Sequence, residues 1–228
     1  MWRSNGKYIF CMVVFALLVE VVFSTSNTLP RYRQEFGSYL NTLHLHKGAE
    51  IGVEYGKFAM STLVDWETCT EYHLVDPWGL QYGPDPRHAK TVEKDDEIYQ
   101  KTLFRLAPWQ NILKVHRMTS AQAAAQVADN SLDYVYIDAR HDYCSVKLDL
   151  ELWWPKIRVG GIIAGHDYMT NLEVNRIFGY YYLCPDGSSH DEGVKGAVDE
   201  FARLHNKEIH TTQWDTPLIS FMIHKFTE

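Results

Sequence analysis

The sequence predicts one α/β domain built on a doubly wound, mostly parallel sheet with helices on both faces. Two observations carry that expectation. From about residue 47 onward, short apolar runs alternate with segments of helical spacing, and no internal repeat interrupts the alternation. The size agrees: 228 residues suit one domain with a substantial core, and 46% apolar and aromatic content is too high for a disordered chain.

The elements follow in order. Residues 25–47 read as a linker and a short amphipathic helix. Ala49–Val53 is the first strand, Phe58–Trp66 a helix, and Tyr72–Val75 the second strand, ended by Asp76-Pro77. The turn signals Pro77, Gly79, Gly83-Pro84 and Pro86 make residues 77–88 a loop. Thr91–Leu106 is a charged helix with Ile98, Leu103 and Leu106 turned inward; Ile112–Val115 is the third strand and Ser120–Ala128 an Ala-rich helix. Leu132–Ile137 (LDYVYI) is the clearest strand. Tyr143–Ile157 is a helix with Val146, Leu150 and Trp153/Trp154 at i, i+4, i+7 spacing, and Gly160-Gly161 breaks the chain before the strand Ile162–Ala164. Residues 168–192 form a long aromatic loop, Val194–His205 the last helix, and Glu208–Gln213 and Leu218–Lys225 two closing strands.

The formal charge of −7 and the lack of a basic stripe exclude a general nucleic-acid binder. At the N-terminus, Arg3 and Lys7 precede an apolar run, Tyr8–Val19, which Glu20 interrupts and Val21–Phe23 completes. That stretch is short against the roughly 20 residues of a membrane span. It suits the apolar region of a signal peptide, with Val22-Phe23-Ser24 as a cleavage site. A type II signal anchor, tethering the chain to a membrane through residues 8–23, is the alternative, and a buried core helix a third. Residues 1–24 are therefore assigned to a signal peptide or anchor, 25–47 to a linker and N-terminal helix, and 48–228 to the main domain. Either leading assignment sends the domain into the secretory pathway. Beyond Cys11 there are three cysteines, Cys69, Cys144 and Cys184, an odd number whose pairing the sequence leaves open.

In a sheet of this type ligands sit beyond the carboxyl ends of the strands. After the first strand comes Glu50-Ile-Gly52-Val-Glu-Tyr-Gly56, a turn whose glycines permit close approach at a helix N-terminus. Asp76, some 20 residues later, is placed to accept hydrogen bonds from ribose hydroxyls, or else is a turn residue before Pro77. Together they point to an adenosine-type cofactor. After the fourth strand comes Asp138-Ala-Arg-His141-Asp142, and after the fifth Gly165-His166-Asp167. Asp138, His166 and Asp167 suit a hard or borderline divalent ion such as Mg²⁺, with His141 as a base. Asp142 reads as the N-cap of the helix at Tyr143.

These residues carry a resemblance. Glu50–Gly56 resembles motif I of class I S-adenosylmethionine-dependent methyltransferases in its catechol- and caffeoyl-CoA-type form, and Asp76 matches that family's acidic residue. Tyr136–Tyr143, Trp154–Asp167 and Gly193–Phe201 are similar to the macrocin-type sugar O-methyltransferases. The resemblance implies a Rossmann-like seven-stranded sheet whose last strand runs antiparallel. It implies that Glu50, Gly52 and Gly56 line the methionine and ribose side of S-adenosyl-L-methionine, with Asp138 beside them. Asp76 would hold the ribose hydroxyls, and Met118-Thr119-Ser120 would lie at the adenine. Asp138, His166 and Asp167 would hold Mg²⁺ or another divalent cation, and His141 would serve as the base. The departures are Glu54 for a central glycine, Phe58 for a cofactor-binding Ser, Tyr168 for a metal-site Asn, and His166 for a carboxylate. The expected activity is O-methylation of a small-molecule hydroxyl. A catalytically silent secreted binding module of the same fold and a metal-dependent hydrolase are the alternatives.

Overall fold

The computed structural model describes residues 28–79 and 92–226. The expected signal or anchor, Cys11, most of the 77–88 loop and Thr91 lie outside the described residues. An N-terminal 3-10 turn (Arg33–Glu35) leads into α1 (Phe36–Thr42). There follow β1 (Lys47–Ile51), α2 (Lys57–Asp65), β2 (Glu71–Val75), α3 (Val92–Leu106), β3 (Leu113–His116), α4 (Ser120–Ala124) and β4 (Leu132–Ile137). The second half comprises α5 (Tyr143–Trp153), β5 (Ile157–Gly165), α6 (Asn171–Phe178), α7 (Gly193–Leu204), β6 (His210–Thr211) and β7 (Phe221–Lys225).

The strands form one sheet in the order β3-β2-β1-β4-β5-β7-β6. All neighbours pair parallel up to β5, and β7 runs antiparallel to both β5 and β6, as expected for the last strand. The strand order reverses at β1, so a crevice opens between the carboxyl ends of β1 and β4.

β4 shows why the sheet is buried on both sides. Its alternate residues Val135 and Ile137 pack with Val146, Leu150 and Trp153 of α5 and Phe201 of α7. Tyr134 and Tyr136 point the other way, into a layer with Phe36, Leu40, Phe58 and Trp66. Every residue of β4 is buried.

Four expectations need correction. The helix at Tyr143 ends at Trp153, where Pro155 turns the chain into a 3-10 segment (Trp154–Lys156), because proline cannot continue the hydrogen-bond ladder. Gly160-Gly161 does not precede the fifth strand but lies inside it, where a shift of pairing between Leu132 and Tyr134 absorbs the extra residues. The segment 168–192 is not all loop, since α6 lies within it. Thr170 caps that helix in a reciprocal box with Glu173, and left-handed Gly179 closes it. In α3, Ile98 and Leu106 are buried as expected, but Thr102 rather than half-buried Leu103 completes the inner face.

Candidate active site

β1 ends at Ile51 and the chain turns back through Gly52–Gly56 before α2. Gly52 has φ +90°, and a Cβ there would overlap the Asp138 carbonyl at the end of β4. Gly56 caps α2 in the left-handed region, and a Cβ there would press on Thr102 and Leu106. Both glycines are therefore required by protein packing.

The turn between them is fastened by Asp76. Its Oδ2 accepts the N–H groups of Val53 (3.0 Å) and Glu54 (2.9 Å), and its Oδ1 accepts that of Trp78 (2.8 Å). Trp78 Nε1 and Thr102 Oγ1 donate to the Glu54 carbonyl from the other side. Three of the roughly four acceptor positions of the Asp76 carboxylate are thus filled by backbone. The turn-residue reading holds, and the turn's amides face a carboxylate rather than open space. Burial raises the Asp76 carboxyl above its ordinary range, against those three amides.

Around this turn lies a cavity of about 630 Å³, a size suited to a nucleoside-sized ligand. Of the predicted residues, Glu50, Gly52, Asp76, Ser120, Asp138 and His141 line it; Gly56, His166 and Asp167 do not. Glu50 is 1% exposed on the cavity floor, with the Tyr72 hydroxyl 3.4 Å away. Burial, reinforced by Asp138, pushes its carboxyl well above the ordinary value.

Ser120 stands at the far end, just inside α4, whose cap is Thr119 in a box with Gln122. Its hydroxyl donates to Asp149 Oδ1 at 2.5 Å and accepts from Trp153 Nε1 at 2.9 Å. Burial pushes Asp149 up to about 7.

The carboxyl ends of β4 and β5 bring Asp138, His141, His166 and Asp167 together. His141 Nε2 is 3.2 Å from Asp138 Oδ1, and its Nδ1 is 3.0 Å from Asp167 Oδ2 and 3.2 Å from the Tyr182 hydroxyl. Burial disfavours a charged imidazole, but the two carboxylates outweigh it and push His141 up to about 10. Burial likewise opposes the charge of Asp167 and Asp138, yet His141 holds Asp167 well below the carboxylate range, and His141 with Arg33 holds Asp138 below it. Near neutrality His141 is an imidazolium between two carboxylates rather than a free base. Asp142 caps α5 by accepting the Ser145 N–H at 2.9 Å, as expected.

The group whose side-chain donors converge is Asp138, His141 and Asp167. His166 is attached to it through Asp167 Oδ1 (3.0 Å) and lies 3.9 Å from Asp138. The expected divalent ion does not fit this arrangement. Both oxygens of Asp138 are engaged, Oδ1 by His141 and Oδ2 by Arg33 Nη2 at 2.8 Å.

Sequence reasoning missed Arg33 and Asp149. Arg33 lies in the predicted linker, 105 residues from Asp138, with no local signal. Asp149 did carry one: it is an acid on the inner stripe of α5, between Val146 and Leu150. Cys144 and Cys184 form a disulfide that ties the start of α5 to the segment bearing Tyr182, leaving Cys69 free and buried.

Residues 49–168 match a family model described as a methyltransferase domain. The uncharacterized protein y4gI of Sinorhizobium fredii is 29% identical over 136 residues, 58% of this chain but 14% of the relative's own length. Among solved structures, the O-methyltransferase from Bacillus cereus in complex with SAH covers 99% of this chain and 93% of its own, at 12% identity and a TM-score of 0.53. Cofactor-bound Rv0187 from MTB covers 100% of both chains at 15% identity and a TM-score of 0.57. The O-methyltransferase TomG from Streptomyces achromogenes, in complex with SAM, covers 85% and 79% at 9% identity and a TM-score of 0.55.

Proposed function

The chain belongs to the methyltransferase-domain family, and from that premise we propose that it is an S-adenosyl-L-methionine-dependent methyltransferase acting on a small-molecule hydroxyl. The observation that carries the choice of cofactor is the Gly52–Gly56 turn. A dinucleotide fold offers such a turn's amides to a pyrophosphate. Here Asp76 takes the amides of Val53 and Glu54, so the turn is built for a ligand without phosphates. The cavity floor adds Glu50, a buried carboxyl suited to the cationic methionyl end of such a ligand.

In this reading the cofactor runs from Glu50 and Gly52 past Asp76 to Ser120, with the methyl group directed toward Asp138 and His141. An acceptor oxygen attacks the methyl carbon, the C–O bond forms as the C–S bond breaks, and sulfur keeps the electron pair of the C–S bond. The sulfonium is already a strong donor, so alignment is the main task of the protein. The acceptor's proton passes to solvent as the new bond forms, because His141 already carries its own; the Asp138–His141 pair, which Asp167 holds in place, orients the acceptor oxygen. No step is routed through a metal ion.

The proposal extends to location and partners. We place the domain in the secretory pathway, secreted or lumenal, or tethered through residues 8–23, with no nucleic-acid partner. The Cys144–Cys184 disulfide supports this, since such bonds persist in oxidising compartments. Among the described residues no helix is long and apolar enough to cross a membrane.

Calorimetric titration of the full chain with S-adenosylmethionine and S-adenosylhomocysteine tests the cofactor. Binding with a Kd on the order of micromolar is expected, weakened about tenfold in Glu50→Gln. No binding of either compound at millimolar concentration overturns the reading.

A further inference from the structure

We propose that Arg33 is the resident cation of this site and that its guanidinium, rather than a divalent metal ion, is the positive partner of Asp138. The inference deepens the methyltransferase reading by stating how the site is charged, while its geometry stands without that reading.

The guanidinium is held from several directions. Nη2 lies 2.8 Å from Asp138 Oδ2, at the point where β4 delivers its carboxylate to the cavity. Cζ sits 4.5 Å over the Phe58 ring and 5.4 Å from the centre of Tyr136, two rings that stack on each other at 3.9 Å. The Arg33 backbone N–H is anchored on Asp215 Oδ2 at 2.5 Å. A planar ion on an aromatic shelf with a carboxylate at its edge is the arrangement arginine favours. Phe58 has an evident use here, as the shelf.

The donors that converge beside it, on Asp138, His141 and Asp167, are paired with one another through the His141 ring. Asp138 Oδ1 is engaged by His141, and His166, expected as a metal ligand, turns its Nδ1 to Asp167 Oδ1. A divalent ion on Asp138 would stand beside a permanently charged guanidinium, a like-charge contact in a poorly solvated pocket. Removing that contact would require Arg33 to leave both rings. Arg33 Nε is buried without a hydrogen-bond partner, although the side chain lines the cavity. A donor left unpaired in this way is one that a bound ligand's oxygen can complete.

The test is a Mn²⁺ titration of the full chain at pH 7.5, read from the paramagnetic resonance signal of free Mn²⁺. Wild type is expected to show no saturable site below about 1 mM. Arg33→Met and Arg33→Gln, each checked for a wild-type melting transition, are expected to gain one site at least about tenfold tighter, lost again when Asp138→Asn is added. Arg33→Lys, which keeps the charge, is expected to behave as wild type. One Mn²⁺ bound by wild type below 1 mM and lost in Asp138→Asn overturns the proposal. So does a folded neutral variant that binds Mn²⁺ no better than wild type. Should neither neutral variant fold, the wild-type titration decides alone. No methyl donor is present, so failure here is separate from failure of the cofactor titration.

Discussion

Asp76 Oδ2 accepts the backbone N–H of Val53 at 3.0 Å, joining the end of β2 to the turn that follows β1, 23 residues earlier in the chain. With Glu54 and Trp78 the same carboxylate accepts three amides, so its first task is met before any ligand arrives. Asp76→Ala strands those amides in a buried place. It is expected to lower stability by about 2–4 kcal/mol in urea denaturation without ligand. Cofactor binding is expected to fall with it. An alanine variant of wild-type stability that has lost only binding would show that the carboxylate works on the ribose alone.

The Asp149 carboxyl, pushed up to about 7 by burial, predicts a pH dependence of stability. Its folded-state value lies above its unfolded value, so the folded protein binds the proton more tightly. That contribution is complete below about pH 4 and is lost as pH rises through 7. Asp149→Asn keeps an acceptor for the Ser120 hydroxyl and removes the titration. Denaturation at pH 5 and pH 8 is expected to show wild type losing roughly 2–4 kcal/mol more than the variant over that interval. Parallel pH dependence in the two proteins would sink this assignment.

Much of the architecture was legible because burial on both faces writes itself into sequence. LDYVYI is a strand over all six of its predicted residues, since its five apolar and aromatic side chains pack against one layer or the other and Asp133 accepts the N–H groups of His46 and Lys47. The turn at Gly52, the cap at Asp142 and the cavity-lining positions Glu50 and Ser120 were legible for a local reason: each stands at the end of a strand, just after one, or at the start of a helix. α6 was written in Thr170-Asn-Leu-Glu173, a capping box overshadowed by the aromatic residues after it. What could not be read was long-range. Whether His141 or His166 joins the two carboxylates depends on how β4 and β5 end side by side, and Arg33 reaches Asp138 from an N-terminal turn with no pattern of its own.

Gly52 offers a sharper test of the crevice than its role in binding would. Alanine there meets both a φ of +90° and the Asp138 carbonyl, so β1 and β4 must separate at their carboxyl ends. Gly52→Ala is expected to cost about 3 kcal/mol or more, or to prevent folding. Gly187→Ala makes the control, since its φ of +86° carries the backbone cost without any atom within 4 Å of the added carbon. Melting of the two variants side by side checks the claim, and equal losses would remove the crowding at Asp138 from the account.

The cysteines give the last prediction. Cys144 and Cys184 are joined across 40 residues, and Cys69 is buried with its thiol pushed up to about 12, chiefly by burial. Native protein is therefore expected to resist maleimide at Cys69, because the thiol is neither accessible nor ionised. Unfolding without reductant should expose Cys69 alone among residues 28–226, and reduction should then add Cys144 and Cys184. Closing a loop of that length is worth about 3–4 kcal/mol in the chain-entropy picture. The double variant Cys144→Ser, Cys184→Ser is expected to lose stability of that order. The same bond holds the segment that carries Tyr182, which Asn171 also grips through the Tyr182 N–H and carbonyl. Losing the bond should therefore loosen the Tyr182 side of His141 before it loosens the sheet, which hydrogen exchange of residues 180–190 against β4 would detect. Peptide mapping that finds the same labelled cysteines with and without reductant would refute the pairing, and with it the expected loosening.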